Sequence, residues 1–263
     1  MKRYIFLFLL LVLTSCEKNE ITSSLNGNVD RRYPTTLYKL SQPELDSLQV
    51  KFNNKLLGTG NMAVMDSFGF LGYHEILSRG KSDITDTAQA VALAKAALLH
   101  LREFSNIVDT STLYVQDATH YNTMGITDWR ISFKNQYYNG MEVWYTRILA
   151  IVADDFILID GRHYNNIFIP KYKIISKERT KKQLMGTVIH YECWTPGTFV
   201  ISDSTISLEA IEECIYPVRK SNSIELHVAW KVPIVGFMSQ PMWYYFVDVV
   251  TGETIGVMQL FIC

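Results

Sequence analysis

Between Asp128 and Val143 the chain alternates with a period of two and then turns. Trp129, Ile131 and Phe133 fall on one side of an extended backbone, Arg130, Ser132 and Lys134 on the other. Successive side chains of a strand point to opposite faces, so this is the pattern of a half-buried antiparallel strand. Asn139-Gly140 follows, and both residues tolerate the positive φ that a tight two-residue turn between twisted strands requires. The spacing predicts a hairpin whose returning strand lies in the run Met141 to Val152. One face of such a ribbon has to be buried, and the text before it supplies the cover.

No glycine or proline occurs between Gly80 and Gly125. Asp86 with Gln89 three residues later reads as a capped helix start, and Ala88 to Phe104 is built of strong helix formers with Val91, Leu98 and Leu101 on one stripe. Leu113 to Gln116 is a short strand candidate, and Phe156 to Asp160 follows a turn at Asp154-Asp155. Helix followed by antiparallel meander makes residues 83–172 an α+β unit. Ahead of it, residues 37–82 hold a helix announced by Ser41-Gln42-Pro43-Glu44, with Leu45, Leu48, Phe52 and Leu56 on one face, then an irregular stretch with five glycines at 58, 60, 69, 72 and 80.

The segment Asn165 to Lys173, with Pro170 inside it, is the expected junction to a second unit, residues 173–263. That unit opens on a helix capped at Ser176 and stopped before Gly186. Strands are expected at Val188–Trp194, Phe199–Ser202, Ala210–Val218, Ile224–Ile234, Met242–Val250 and Thr254–Phe261, the last two joined through Thr251-Gly252. Both units therefore read as a helix followed by strands.

The first residues form a different kind of segment. Lys2 and Arg3 precede an apolar run, Tyr4 to Leu13, of ten residues, which is too short for a hydrocarbon core that needs about 20. It reads as an export signal, and Leu13-Thr14-Ser15-Cys16 resembles the lipobox of bacterial lipoproteins. The resemblance implies removal of residues 1–15, acylation of Cys16, and a lipid-anchored address in the bacterial cell envelope, at the outer membrane. An ordinary secretion signal with a chance cysteine is the alternative. Residues 16–36, rich in Asn, Ser, Gly, Thr and charge, are expected to be a flexible tether. With 25 basic and 26 acidic side chains, and two of the basic ones inside the signal, the body is weakly acidic. That balance argues against a nucleic-acid partner.

The spelling Trp129-x-Ile131-x-Phe133-x-x-Gln136-Tyr137-Tyr138-Asn139-Gly140-x-x-Val143 resembles the FTP and PepSY modules in the propeptides of thermolysin-like metalloproteases. The closing text, Ala229 to Ile234 and then Trp243 to Glu253 with Asp248-x-x-Thr251-Gly252-Glu253, is similar to the last strands of a PepSY module. The resemblance implies two PepSY-like units in tandem, the second divergent, with Trp129 and Trp230 in equivalent strands. It also implies noncovalent binding of other proteins or peptides, with a secreted peptidase as the partner and inhibition or chaperoning as the outcome. No metallopeptidase domain follows in the sequence, so action on a separate peptidase is expected.

Catalytic signatures do not accompany these features. A zinc hydrolase needs His-Glu-x-x-His or a comparable set, a serine hydrolase favours Gly-x-Ser-x-Gly, and nucleotide cofactors need glycine-rich phosphate loops; none of these is spelled in the sequence. His190 and Glu192 share a strand face but make an incomplete ligand pair, and His74, Glu75 and His163 are isolated, as expected of surface or capping residues. The reading is therefore no enzyme, no cofactor and no metal. Cys193 and Cys214, both in strand-like text, are a candidate disulfide, with Cys263 a spare thiol. Aromatic surface in excess of one sheet face marks Gln136, Tyr137, Tyr138, Gly140, Trp144, Trp243 and Tyr245 as candidate interaction residues. Two other readings stay open. One is an accessory component of an envelope assembly; the other is a hydrolase whose groups converge only in the fold.

Overall fold

Helices begin where the sequence supplies acceptors for the free N–H groups of a first turn. At α1 (Gln42–Asn53) Glu44 Oε2 accepts from both the N–H and the hydroxyl of Ser41 at 2.7 Å. At α2 (Thr87–His100) Asp86 accepts from the Gln89 N–H at 2.8 Å, and Gln89 Oε1 accepts in return from the Thr85 N–H at 2.9 Å. The Ala/Leu stretch breaks at Leu101 rather than running on to Phe104; a short α3 (Arg102–Ser105) follows and ends on Asn106 in the left-handed region, φ 58°. Ser176 caps α4 (Lys177–Leu184), and Gly186 at φ 82° turns the chain out of it. The structure, a computed structural model, describes residues 30–55, 65–70, 75–78, 83–123, 126–192, 196–236 and 241–260. Among these residues no helix is long and apolar enough to cross a membrane.

The fold class is α+β, with helices on antiparallel-rich sheets. The first sheet is five-stranded and wholly antiparallel. It comprises β2 (Glu75–Ser78), β3 (Val115–Thr123), β4 (Ile126–Phe133), β7 (Leu149–Ala153) and β8 (Phe156–Asp160), in the order β2-β8-β7-β4-β3. Its inner face carries Ile131, Phe133, Val152 and Ile157 against Ala94 and Leu98 of α2, with Phe52 of α1 in the same cluster. Complete burial of Ile131 and Phe133 contributes about 1.5–3 kcal/mol per side chain. The outer positions behave less uniformly than alternation suggests: Arg130 and Lys134 are exposed, whereas Ser132 is buried and its hydroxyl accepts from the Arg147 guanidinium.

The Asn139-Gly140 turn forms, at φ 49° and 80°, but it does not join the strands that alternation proposed. β4 pairs with β7, in register Trp129↔Val152 and Ser132↔Leu149. The turn closes a smaller hairpin of β5 (Tyr137–Tyr138) and β6 (Met141–Val143), which lies beside a strand of the other sheet. Thr146 fastens this excursion at its base. Its hydroxyl accepts from the Gln136 N–H at 2.8 Å and donates to the Val143 carbonyl at 2.5 Å, and its own N–H donates to Asn135 Oδ1 at 3.2 Å. Met141 and Val143 are thereby buried in the second core.

That second sheet runs β14 (Thr254–Gln259), β13 (Pro241–Asp248), β12 (Ser223–Val235), β11 (Glu212–Arg219), β6, β5, with β1 (Thr35–Tyr38) paired to β12 as a seventh strand. β6 and β11 are parallel, Cys214 opposite Glu142; the other pairs are antiparallel. A separate ribbon of β9 (Val188–Tyr191) and β10 (Gly197–Val200) contributes Ile189 to the core beneath the sheet, together with Leu184 of α4, Trp230, Val232 and Trp243. Each sheet thus contains a helix followed in sequence by a four-strand meander, β3-β4-β7-β8 after α2 and β11-β12-β13-β14 after α4, with Trp129 and Trp230 on the second strand of each. Residues 33–36, which polarity assigns to the tether, belong to the folded body: Tyr33 is buried and Thr35 opens β1.

Candidate functional site

Strand parity decides which aromatic residues face solvent. On β13, Trp243 and Tyr245 point into the core and are 2 % and 8 % exposed, so neither is available to a partner. Tyr244 and Phe246 point the other way, where they meet Trp144, Tyr216 and Met258. A shift of one residue exchanges the faces of a whole strand, and Tyr244 takes the surface place that the sequence reading gave to its neighbours. Of the other candidates, Gln136 is already committed: its amide accepts from the Tyr164 N–H at 2.8 Å and donates to the Tyr164 carbonyl at 2.7 Å. Tyr138 packs on the core, and Trp144 is half-buried. Tyr137, 61 % exposed, and the open turn at Gly140 remain free.

A cleft of about 660 Å³ opens beside Tyr137. One wall is the loop Asn106 to Asp109, another is Leu113 and Tyr114, and a third is Lys134 to Tyr137, with His163 also lining it. Tyr114 and Val108 stand exposed at its rim. His163, isolated in the sequence and expected at the surface, is buried; desolvation lowers its pKa to about 4, so the imidazole is neutral at pH 7. Directly after Tyr114 begins β3, which among the described residues ends its sheet and pairs with β4 alone. A bulge between Val115 and Asp117 and the charge of Asp117 are devices that discourage indiscriminate pairing at an edge. Only the apolar start of this strand is legible in the sequence, because in its remainder, Asp117 to Asn122, Ala118 is the one aliphatic side chain and no alternation of large apolar residues marks a half-buried strand.

A second cluster lies at the seam of the larger sheet. The ladder of β1 with β12 starts at Thr35↔Leu226 and that of β13 at Ala229↔Asp248, which leaves Val228 between them. The Tyr33 hydroxyl fills the gap. It accepts from the Val228 N–H at 3.0 Å and donates to Asp248 Oδ2 at 2.7 Å. His227 Nδ1 shares that oxygen at 2.6 Å, and its Nε2 reaches Glu225 at 3.1 Å. Asp248 Oδ1 accepts from the N–H groups of Val250 and Thr251 at 2.7 Å, Thr251 Oγ1 accepts from the Glu253 N–H at 3.2 Å, and Gly252 adopts φ 76°. Asp-x-x-Thr-Gly-Glu is therefore a turn whose aspartate also holds the N-terminal strand. Both carboxylate oxygens are occupied by protein groups, so the cluster acts as a clasp.

The remaining sequence candidates separate. Cys214 is a free thiol, buried among Ala229, Tyr216 and Phe246 rather than paired, and burial pushes its pKa up. Cys193, its expected partner, lies outside the described residues, as do Cys16, Cys263 and His74. His190 pairs across the ribbon with Thr198, and among the described residues no group of three potential ligands could hold a metal ion.

Neither a family model nor a curated protein matches this sequence. Among solved structures the chain is similar to the Bacillus megaterium YpeB C-terminal domain, with 15 % identity and a TM-score of 0.33 over 85 % of this chain and 99 % of that one. A likeness this loose carries no argument about what either protein binds.

Proposed function

We propose that this chain is a noncovalent protein- or peptide-binding module of the bacterial envelope, anchored through an acylated Cys16, that engages a secreted peptidase and restrains or chaperones it. The observation that carries this reading is the outer edge of β3, nine residues long and without a strand partner among the described residues, running from the rim of an open cleft. An extended segment added there would gain main-chain hydrogen bonds from the edge and side-chain selectivity from the cleft. The PepSY/FTP-like spelling of Trp129 to Val143 supplies the peptidase as the partner class. The test is to mix the purified chain, residues 30–263, with thermolysin-like metallopeptidases and with their unfolded forms. Saturable binding with slowed turnover or improved refolding is the expected result; neither binding nor altered activity would sink the reading.

A second reading, docking onto an envelope assembly, is favoured by the other face of the larger sheet. There Tyr145 is half exposed at φ 58° beside Trp144 and Tyr216. Positive φ is uncommon for a bulky side chain and is held only where surrounding contacts impose it. Copurification of a stable non-peptidase partner that is lost in Tyr145→Ala would select this face over β3.

A further inference from the structure

A smaller cleft, of about 330 Å³, is lined by Arg162 and Tyr164 from the segment after β8, Pro217 and Arg219 from β11, Ile224 from β12, and Tyr145 from the bend after β6. Both of its guanidiniums turn to one carboxylate oxygen. Arg162 Nη1 donates to Asp66 Oδ2 at 3.0 Å and Arg219 Nη2 donates to the same oxygen at 3.3 Å. Two like charges thus stand within about 6 Å of each other with one counter-charge, an arrangement whose repulsion a further anion relieves. Asp66 is fully engaged, since its Oδ1 accepts from the N–H groups of Phe68 and Phe70 at 2.9 and 3.1 Å. Each guanidinium also lies over a ring, Arg162 over Phe70 at 5.0 Å and Arg219 over Phe68 at 5.5 Å, which fixes its plane. A guanidinium carries five N–H donors, and among the described residues neither of these meets a second carboxylate. Burial raises the pKa of the Tyr164 phenol, while the charges of Arg162 and Arg219 and a hydrogen bond from Arg162 act the other way, so the hydroxyl lies close to both cations. The phenol accepts from Arg162 and keeps its own hydrogen to donate.

We propose that this cleft binds a phosphoryl group, held by the remaining N–H groups of Arg162 and Arg219 and by the Tyr164 hydroxyl. A phosphoryl group presents three acceptor oxygens and can give one to each of these side chains, whereas a carboxylate has two. Arginine forks pair with phosphate through parallel N–H bonds, and two forks already held in place by Asp66 and by the phenylalanine rings lose little freedom in doing so. Asp66 is not in the lining, so no carboxylate faces the ligand. Pro217, Ile224 and the ring of Tyr145 complete the wall, and the carbon portion of a small phosphate ester would lie against them. The site shares no lining residue with the cleft beside β3 and has Tyr145 in common with the docking face of the second reading.

The experiment is a calorimetric titration of residues 30–263, the span that holds both cores, with inorganic phosphate, glycerol 3-phosphate and acetate at constant ionic strength. Phosphate is expected to bind saturably, one per chain, and about tenfold more tightly than acetate, the discrimination of one charge-assisted hydrogen bond. Arg219→Gln should weaken phosphate by about tenfold, and Tyr164→Phe should narrow its advantage over acetate. Arg219→Lys keeps the charge that faces Asp66 but not the fork, so it should retain the wild-type urea midpoint and still bind phosphate several-fold less tightly, which separates loss of ligand from loss of fold. Equal affinity for phosphate and acetate overturns the phosphoryl assignment. Absence of saturable binding, or binding unchanged in Arg219→Gln, overturns the site. Glycerol 3-phosphate binding more tightly than phosphate, with the gain lost in Tyr145→Ala, supports an ester as the ligand; equal binding of the two supports free phosphate. Failure here leaves peptide capture at β3 standing, because that reading is tested by the metallopeptidase titration alone.

Discussion

The Tyr33 hydroxyl donates to Asp248 Oδ2 at 2.7 Å across 215 residues of sequence, and its oxygen accepts from the Val228 N–H, a donor left between the β1 and β13 ladders. One phenol thus replaces a missing piece of backbone and neutralises a buried carboxylate's need for donors. Tyr33→Phe is expected to lower the unfolding free energy by about 1–3 kcal/mol, the cost of leaving a buried donor and acceptor unmatched. Asp248→Ala is expected to cost about 3–5 kcal/mol because it also strips His227 and the 249–253 turn of their acceptor. Urea midpoints of the two single variants and the double variant check this: the double should cost less than the sum.

Acid should weaken the protein in two separate windows. Burial raises the Asp248 carboxyl, but hydrogen bonds from His227, Tyr33, Thr251 and Val250 outweigh it and hold the group below the usual carboxylate range. A depressed carboxyl stabilises fully above its unfolded value of about 3.9 and loses that contribution as pH falls through its folded value. His163, lowered from 6.5 to about 4 by burial, stays neutral while the unfolded chain takes up a proton. Stability therefore falls between about pH 6.5 and 4, by on the order of 3 kcal/mol. His163→Phe should flatten the upper window and Asp248→Asn the lower one, read as urea midpoint against pH.

Two glycines separate backbone strain from lack of space. A Cβ on Gly140 would meet nothing within 4 Å, so Gly140→Ala should cost only the left-handed conformation, about 1 kcal/mol. A Cβ on Gly256 would stand 2.5 Å from the Tyr216 ring, which stacks on Phe246 at 4.1 Å between centroids. Gly256→Ala should then cost about 1–3 kcal/mol and change the near-ultraviolet circular dichroism, while Gly140→Ala leaves that spectrum alone.

Parity on β13 gives a fourth expectation. Trp243→Ala should destabilise by about 3–5 kcal/mol, as for large aromatic truncations in a core. Tyr145→Ala, on the exposed face, should change stability by less than about 1 kcal/mol. Thermal unfolding of the pair distinguishes the buried from the presented aromatic.

Local chemistry was the legible part of the fold. Ser41/Glu44, Asp86/Gln89, Ser176 and Asn139-Gly140 act through atoms a few residues apart, so their spelling is enough to place helix starts and a turn. Partners were not legible. The period of two in Trp129 to Phe133 fixes a face but says nothing of which strand lies alongside, and the Thr146 contacts that send Met141 to Val143 into the other sheet involve ordinary polar residues. The site suffered in the same way. Trp243-Tyr244-Tyr245 advertises aromatic surface without telling which parity is buried, and nothing in the text around His163 tells that its ring is buried. Asp248 was visible as part of a motif, but its reach to Tyr33 was not.

The attachment of β1 has a mechanical consequence. A pull on the chain ahead of Tyr33 would enter the body at Thr35 to Tyr38 and pass directly into β12, near the middle of the larger sheet. The five-stranded sheet and its open edge sit outside that path. Load applied there reaches β11 and β13, the neighbours of β12, before it reaches β3 or β4.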